Sequence, residues 1–163
     1  MPELPEVEGL ALDLRGRLDA HAITRVVIAA FSALKTFDPP LSAINGSFVD
    51  DVTRHGKFID VSASGLHLVL HLARGGWVRF RDEVPTLPPK PSNKSPMAAR
   101  LHLDDGSGLD ITEAGTKKRL ALYVVRDPLD VPGIASLGPD PLSEAFTIDV
   151  LGRILQDNGR AQV

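Results

Sequence analysis

The feature that most constrains this chain is a change of hydrophobic period just after Leu18. Before it, Leu4, Val7, Leu10, Leu14 and Leu18 recur at the spacing of an amphipathic helix. After it come short segments that are β-branched or alternate apolar with polar: ITRVVIAAF, SFVDDVT, KFIDVSA, LHLVLHLA, GWVRFR, ARLHLDD, LDIT and RLALYVV. The turn formers HG, SG, GG and DGSG separate them, which reads as an antiparallel β domain. SPMAARLHLDDGSGLDIT is the plainest hairpin, with Asp105-Gly106 and Gly108 expected to supply the positive φ angles of its turn. PTLPPKPSNKSP is a loop, because its prolines cannot join a central ladder. Beyond LGPDPLSEAF, Ile148, Leu151, Ile154 and Leu155 return to helical spacing. The expected fold is mainly β (α+β): a two-layer antiparallel β-sandwich of about eight strands flanked by an N-terminal and a C-terminal helix. Residues 1–163 fit one domain, long enough to bury roughly 70% of the surface its unfolded form exposes.

Several classes are excluded by what the chain lacks. No cysteine is present, so a disulfide framework and a cysteine-based zinc site are ruled out, and a reducing cytoplasm fits best. No apolar run is long enough to span a bilayer, and the N-terminus lacks the basic-then-apolar order of a secretory signal. With 18 basic and 21 acidic residues the net charge is -3, which argues against a nucleic-acid binder whose whole surface is basic. Basic residues gather locally in TKKR (Thr116 to Arg119) and ARGGWVRFR (Ala73 to Arg81), although a short charge run is usually just a solvated face.

The opening, MPELPEVE, needs a separate explanation. Pro5 suits the first turn of a helix, where its missing N–H has no partner, and Glu3, Glu6 and Glu8 oppose the positive end of the helix dipole. Neither reason covers Pro2, which lies ahead of the turn.

Together with RHGKF, HLARGG and LGPDPL, arriving in that order, the opening resembles the formamidopyrimidine-DNA glycosylase and endonuclease VIII family of DNA repair enzymes. The resemblance runs from Met1 to the end of the chain. It implies that Pro2 is a nucleophile once Met1 is removed, a removal expected when the next residue is small. A free α-amino group titrates at about 7.7 to 8.0, against about 10.4 for lysine, so part of it is neutral and nucleophilic at neutral pH. A secondary amine attacking the sugar C1′ gives a charged iminium, an electron sink for elimination. Glu3 is implied to protonate the sugar ring oxygen, with dipole compensation as its other reading, and Glu6 to help shape the site. Lys57 is implied to contact the phosphate near the lesion, although a lysine at a turn also serves solubility. His71 is similar to a backbone-contacting histidine of the family, and a hydrogen-bonded strand-end histidine is the alternative.

The chain also departs from the family. HLAR places Arg74, with Trp77 close behind, where many members carry a methionine wedge that fills the gap left by an extruded base. TEAGTKKRLA replaces the usual Asp-Pro-Arg-Arg-Phe loop, so Lys117, Lys118 and Arg119 keep the charge without the aromatic plug, and Arg119 stands nearest the orphan-base arginine. The helix-two-turn-helix and zinc-ribbon domains of the family are absent from this chain, so no cofactor is expected here and zinc only in that second part. The implied activity is a bifunctional DNA glycosylase and abasic-site lyase of base excision repair, weak in the isolated domain. The expected partner is double-stranded DNA with an oxidised base or an abasic site, met by a monomer in the cytoplasm near the nucleoid, with no membrane contact. The alternative is a non-catalytic DNA- or protein-binding relic of the same fold, and retention of Met1 would favour it.

Overall fold

The computed structural model describes residues 2–158; the expected removal of Met1 and the last five residues lie outside the described residues. In chain order the elements are α1 (Leu4–Leu18), β1 (Ala22–Ile28), β2 (Ser47–His55), β3 (Phe58–Ala63), β4 (Leu66–His71), β5 (Gly76–Arg81), β6 (Met97–Leu103), β7 (Gly108–Glu113), β8 (Ala121–Val125) and α2 (Ile148–Asn158). Each of the eight expected strand segments forms a strand, and both expected helices are present. The strands are ordered β5-β7-β6-β1-β2-β3-β4-β8, with antiparallel pairing at every step.

The ladder is weakest in its middle. β1 and β2 share two register pairs, Ala22↔Phe48 and Ile23↔Ser47, whereas β3 and β4 share six. The sheet therefore divides there into two four-stranded halves that face a common core. Val26, Leu101 and Ile111 from one half and Val52, Ile59, Leu68 and Leu122 from the other belong to one buried cluster. Helix α1 closes it with Val7, Ala11, Leu14 and Leu18, spaced four, three and four residues apart. Leu4 and Leu10, expected in that stripe, are half-buried at its margin, and Ala11 takes the central place. Arg15 fixes the helix to β2, its Nε donating to the Val52 carbonyl at 3.0 Å and lying 2.8 Å from Asp51 Oδ1. A smaller cluster of Val69, Val125, Val131 and Ile134 holds the segment after β8 against the outer face of the second half.

Turn chemistry follows the sequence in two hairpins and departs from it at one glycine of the second. Between β3 and β4, Ser64 and Gly65 both have positive φ, 50° and 83°, as a primed two-residue turn requires. Gly106 has the expected positive φ of 86° between β6 and β7. Gly108 does not: it is the first residue of β7, and its lack of a side chain answers a close approach instead. A Cβ there would lie 2.1 Å from the Leu101 carbonyl oxygen. Helix α2 is amphipathic but has no buried residue, and Ile148, Leu151 and Leu155 are exposed.

Two glycine substitutions should therefore move stability in opposite directions. Gly108→Ala, which meets backbone, is expected to cost about 3 kcal/mol. Gly9→Ala, in α1 with nothing within 4 Å of its added methyl, should gain up to ~1 kcal/mol. Urea denaturation of the two variants checks both signs.

Candidate functional site

The N-terminus of α1 and the tip of the β2–β3 hairpin meet. Glu3 is the N-cap of α1, and its backbone N–H donates to Glu6 Oε2 at 2.7 Å, so Glu6 acts as a capping-box carboxylate. Across the gap, Gly56 and Lys57 form the two-residue turn closed by the His55↔Phe58 pair. Gly56 takes φ +56°, the sign needed at the first position of a type II′ turn. That turn projects Lys57 toward the helix, where its Nζ donates to Glu3 Oε2 at 3.1 Å. Glu3, Glu6 and Lys57 are thus gathered beside a half-buried Pro2, although Lys57 lies 54 residues from Glu3 in sequence.

His71 belongs to the same end of the molecule. It ends β4 directly opposite Phe58, and the two rings are 4.7 Å apart at a 52° tilt. Burial, and then the positive charge of Lys57, push its pKa below the usual imidazole value of 6.5. The ring is accordingly neutral at neutral pH, with one N–H to donate.

The basic residues of the next two loops are brought together in part. After β4 the chain turns through Leu72 to Gly75, with Ala73 at φ +54° and the Gly76 N–H on the Leu72 carbonyl at 2.9 Å. The Ala114 N–H donates to the Gly75 carbonyl at 2.9 Å, which docks this turn on the loop after β7. Arg74, Lys117 and Arg119, together with Glu113, then line one recess of about 130 Å³. Lys118 is placed differently, its Nζ donating to the Glu113 carbonyl at 2.5 Å, so it braces the loop. Glu113, which the sequence reading passed over, is buried; its Oε1 accepts the N–H groups of Arg119 at 2.7 Å and Leu120 at 3.0 Å. An acidic residue ending a strand carries no signal of that role in sequence.

Arg54 was also missed, and it organises the hairpin tip. Its side chain is 4% exposed and donates to Glu8 of α1, to Asp140 Oδ2 at 2.6 Å and to the Gly56 carbonyl at 2.9 Å. Asp140 stands in LGPDPL, and Leu137 of the same segment lies so close to Gly56 that a Cβ there would be 2.9 Å from its Cδ2. The LGPDPL segment therefore straps the hairpin to the helix. The Leu142 amide, and after it Arg54, hold the Asp140 carboxyl below its usual range despite partial burial.

The divided antiparallel sheet thus carries a carboxylate–lysine pair at a helix N-terminus, with a basic recess alongside. The family model of the formamidopyrimidine-DNA glycosylase N-terminal domain matches residues 1–119, and the chain belongs to that family. A formamidopyrimidine-DNA glycosylase of Desulforamulus reducens is 30% identical over 160 residues, covering 96% of this chain and 56% of the relative. One from Symbiobacterium thermophilum is 32% identical over 157 residues, covering 95% of this chain and 50% of the relative. The chain thus spans about half the length of these relatives. Among solved structures, the MutM (Fpg) protein of Thermus thermophilus superposes with a TM-score of 0.74 at 28% identity, over 96% of this chain and 53% of that one. The Lactococcus lactis enzyme, non-covalently bound to DNA containing an AP site, gives a TM-score of 0.76 at 19% identity, over 95% and 58%, and shares the fold.

Two measurements follow from this geometry. In histidine NMR titrations His71 should protonate below 6.5, and Lys57→Met should move that value upward without restoring it, because burial is the larger cause. Its protonation costs stability as pH falls below 6.5, since the unfolded chain binds that proton more readily. Arg54→Met should cost about 3 kcal/mol in urea unfolding, because it leaves two carboxylates without their shared cation. Asp140, lowered on folding, adds stability that is present above about pH 4 and lost as pH falls below it; Asp140→Asn should flatten that limb of the acid-unfolding curve.

Proposed function

We propose that this chain is the catalytic N-terminal domain of a bifunctional DNA glycosylase and abasic-site lyase, acting on duplex DNA with an oxidised base or an abasic site. The observation that carries the reading is the ion pair of Lys57 with Glu3, 3.1 Å apart and next in sequence to Pro2, in a member of this family. With Met1 removed, the Pro2 nitrogen attacks C1′ of the damaged nucleotide; the N–C1′ bond forms as the bond to the base breaks. Glu3, beside that nitrogen, takes the proton the amine loses on bonding and delivers it to the ring oxygen, whose bond to C1′ breaks as the sugar opens to an iminium. The iminium draws electrons from C2′, which loses a proton, and the 3′ phosphate departs in β elimination. Water then releases the amine.

Lys57 binds the adjoining phosphate in this scheme, and neutral His71 adds a hydrogen-bond donor beside it. Arg74, Lys117 and Arg119 hold DNA at the recess, with Lys118 and Glu113 keeping that loop in shape. The helix-two-turn-helix and zinc-ribbon parts of the family would add the remaining phosphate grip, so the 163-residue chain alone should act weakly on abasic sites and hardly on intact damaged bases.

Borohydride trapping on an abasic duplex tests the proposal. Methionine-free protein should form a covalent adduct, and a version with one extra N-terminal residue should form none; adducts from both would rule out the proline amine. Duplex affinity should fall linearly with salt on logarithmic axes, and Lys57→Ala should reduce the slope by about 1. Intact-mass measurement should find Met1 removed. A fully retained Met1 would favour the non-catalytic relic, a reading that the net charge of -3 also favours.

A further inference from the structure

The outer face of β5 carries an aromatic and arginine row that the reaction does not use. Trp77, Arg79 and Arg81 alternate along one face of this strand, recurring about every 6.8 Å. Val78 and Phe80, between them, pack on the core. Trp77 is 44% exposed although it is large and apolar. Arg79 is exposed and makes no side-chain hydrogen bond or ion pair among the described residues. The cross-strand pairs Arg79↔Asp110 and Asp110↔Arg100 put a single carboxylate on this face among the guanidinium groups. Arg100 holds Asp110 at 2.6 Å and Arg81 reaches it at 3.6 Å, so one buried acid is shared by two cations and the face stays positive. Asp82 and Glu83 follow directly and end the row.

Position adds meaning to this charge. β5 is an edge strand of the sheet and starts two residues after Arg74, so the row leads from the basic recess outward along an open margin. In a chain of net charge -3, this face and the recess together present Arg74, Arg79, Arg81, Arg100, Lys117 and Arg119. An exposed indole beside regularly spaced guanidinium groups is the chemistry that binds unpaired nucleic acid, where a base stacks on the ring and phosphates meet the cations. A duplex keeps its bases inside and offers Trp77 no face to stack on. Charged side chains on an edge also oppose pairing with a second copy of the strand.

We propose that the outer face of β5 binds a single strand of nucleic acid, one base stacked on Trp77 and its phosphates on Arg79 and Arg81, as a track leading away from the candidate site. Its direction rests on the reading of that site, while the contact itself does not.

Trp77 is the one tryptophan of the chain, so its fluorescence reports occupancy directly. The full chain would be titrated at low salt with single-stranded oligothymidylate and with an undamaged blunt duplex of equal length. The expected result is saturable quenching by the single strand, with the duplex about tenfold weaker. Arg79→Gln, which breaks no hydrogen bond or ion pair, should weaken single-strand binding severalfold at unchanged melting temperature; the double variant R79Q/R81Q, which also gives up the 3.6 Å Arg81–Asp110 pair, should weaken it by about tenfold or more, and both should leave adduct formation on the abasic duplex unaltered. Lys57→Ala should do the reverse, lowering the adduct and keeping the quenching, so failure of the lyase reading is distinguishable from failure of the track. Absent quenching, equal quenching by duplex, unchanged affinity in both arginine variants, or a dimer in sedimentation that those variants dissolve would each overturn the proposal.

Discussion

One buried guanidinium holds the functional end of this protein together. Arg54 takes its charge out of water at the base of the hairpin tip and is compensated there by Glu8 of the helix, Asp140 of the strap and the Gly56 carbonyl of the turn itself. Burying such a cation is costly unless every donor finds an acceptor, and removing one partner leaves the rest uncompensated. Three segments that share no secondary structure are thereby locked in one arrangement. The α1 N-terminus and the Gly56-Lys57 turn then face each other, and the Glu3–Lys57 pair, itself exposed and weak, is set by that frame.

Electrostatics at this end of the sheet differ from those of the chain as a whole. Acidic residues outnumber basic ones over 163 positions, yet Lys57, Arg74, Lys117 and Arg119 stand on neighbouring loops of one rim. A local positive field of this kind attracts a polyanion even when the net charge does not. Lys57 also acts inward, helping burial to keep His71 neutral. A cation and an uncharged donor thus sit side by side, and the ring adds no repulsion to the lysine.

Much of the architecture was legible in the sequence because it depends on local patterns. The shift from helical to two-residue spacing located both helices and all eight strands, and the motifs placed Glu3, Glu6 and Lys57 at one site. What escaped depends on contacts between distant segments. The bend between β1 and β2 arises from a pairing that breaks off early, which no periodicity encodes. Gly108 looks like a turn glycine until the Leu101 carbonyl is seen against it. Arg54, Glu8 and Asp140 read individually as surface charges; so does Glu113, whose carboxylate caps two amides of the following loop. Lys118 cannot be told from Lys117 by sequence, and their difference rests on one backbone carbonyl.

The central claim is that the chain's reactive atom lies at the start of α1, with the hairpin lysine beside it in a supporting role. Peptide mass mapping of a reduced abasic-DNA adduct tests this most directly. The account expects the sugar remnant on the peptide that begins at Pro2, attached through its nitrogen. A remnant on Lys57, or on any other lysine, would contradict it.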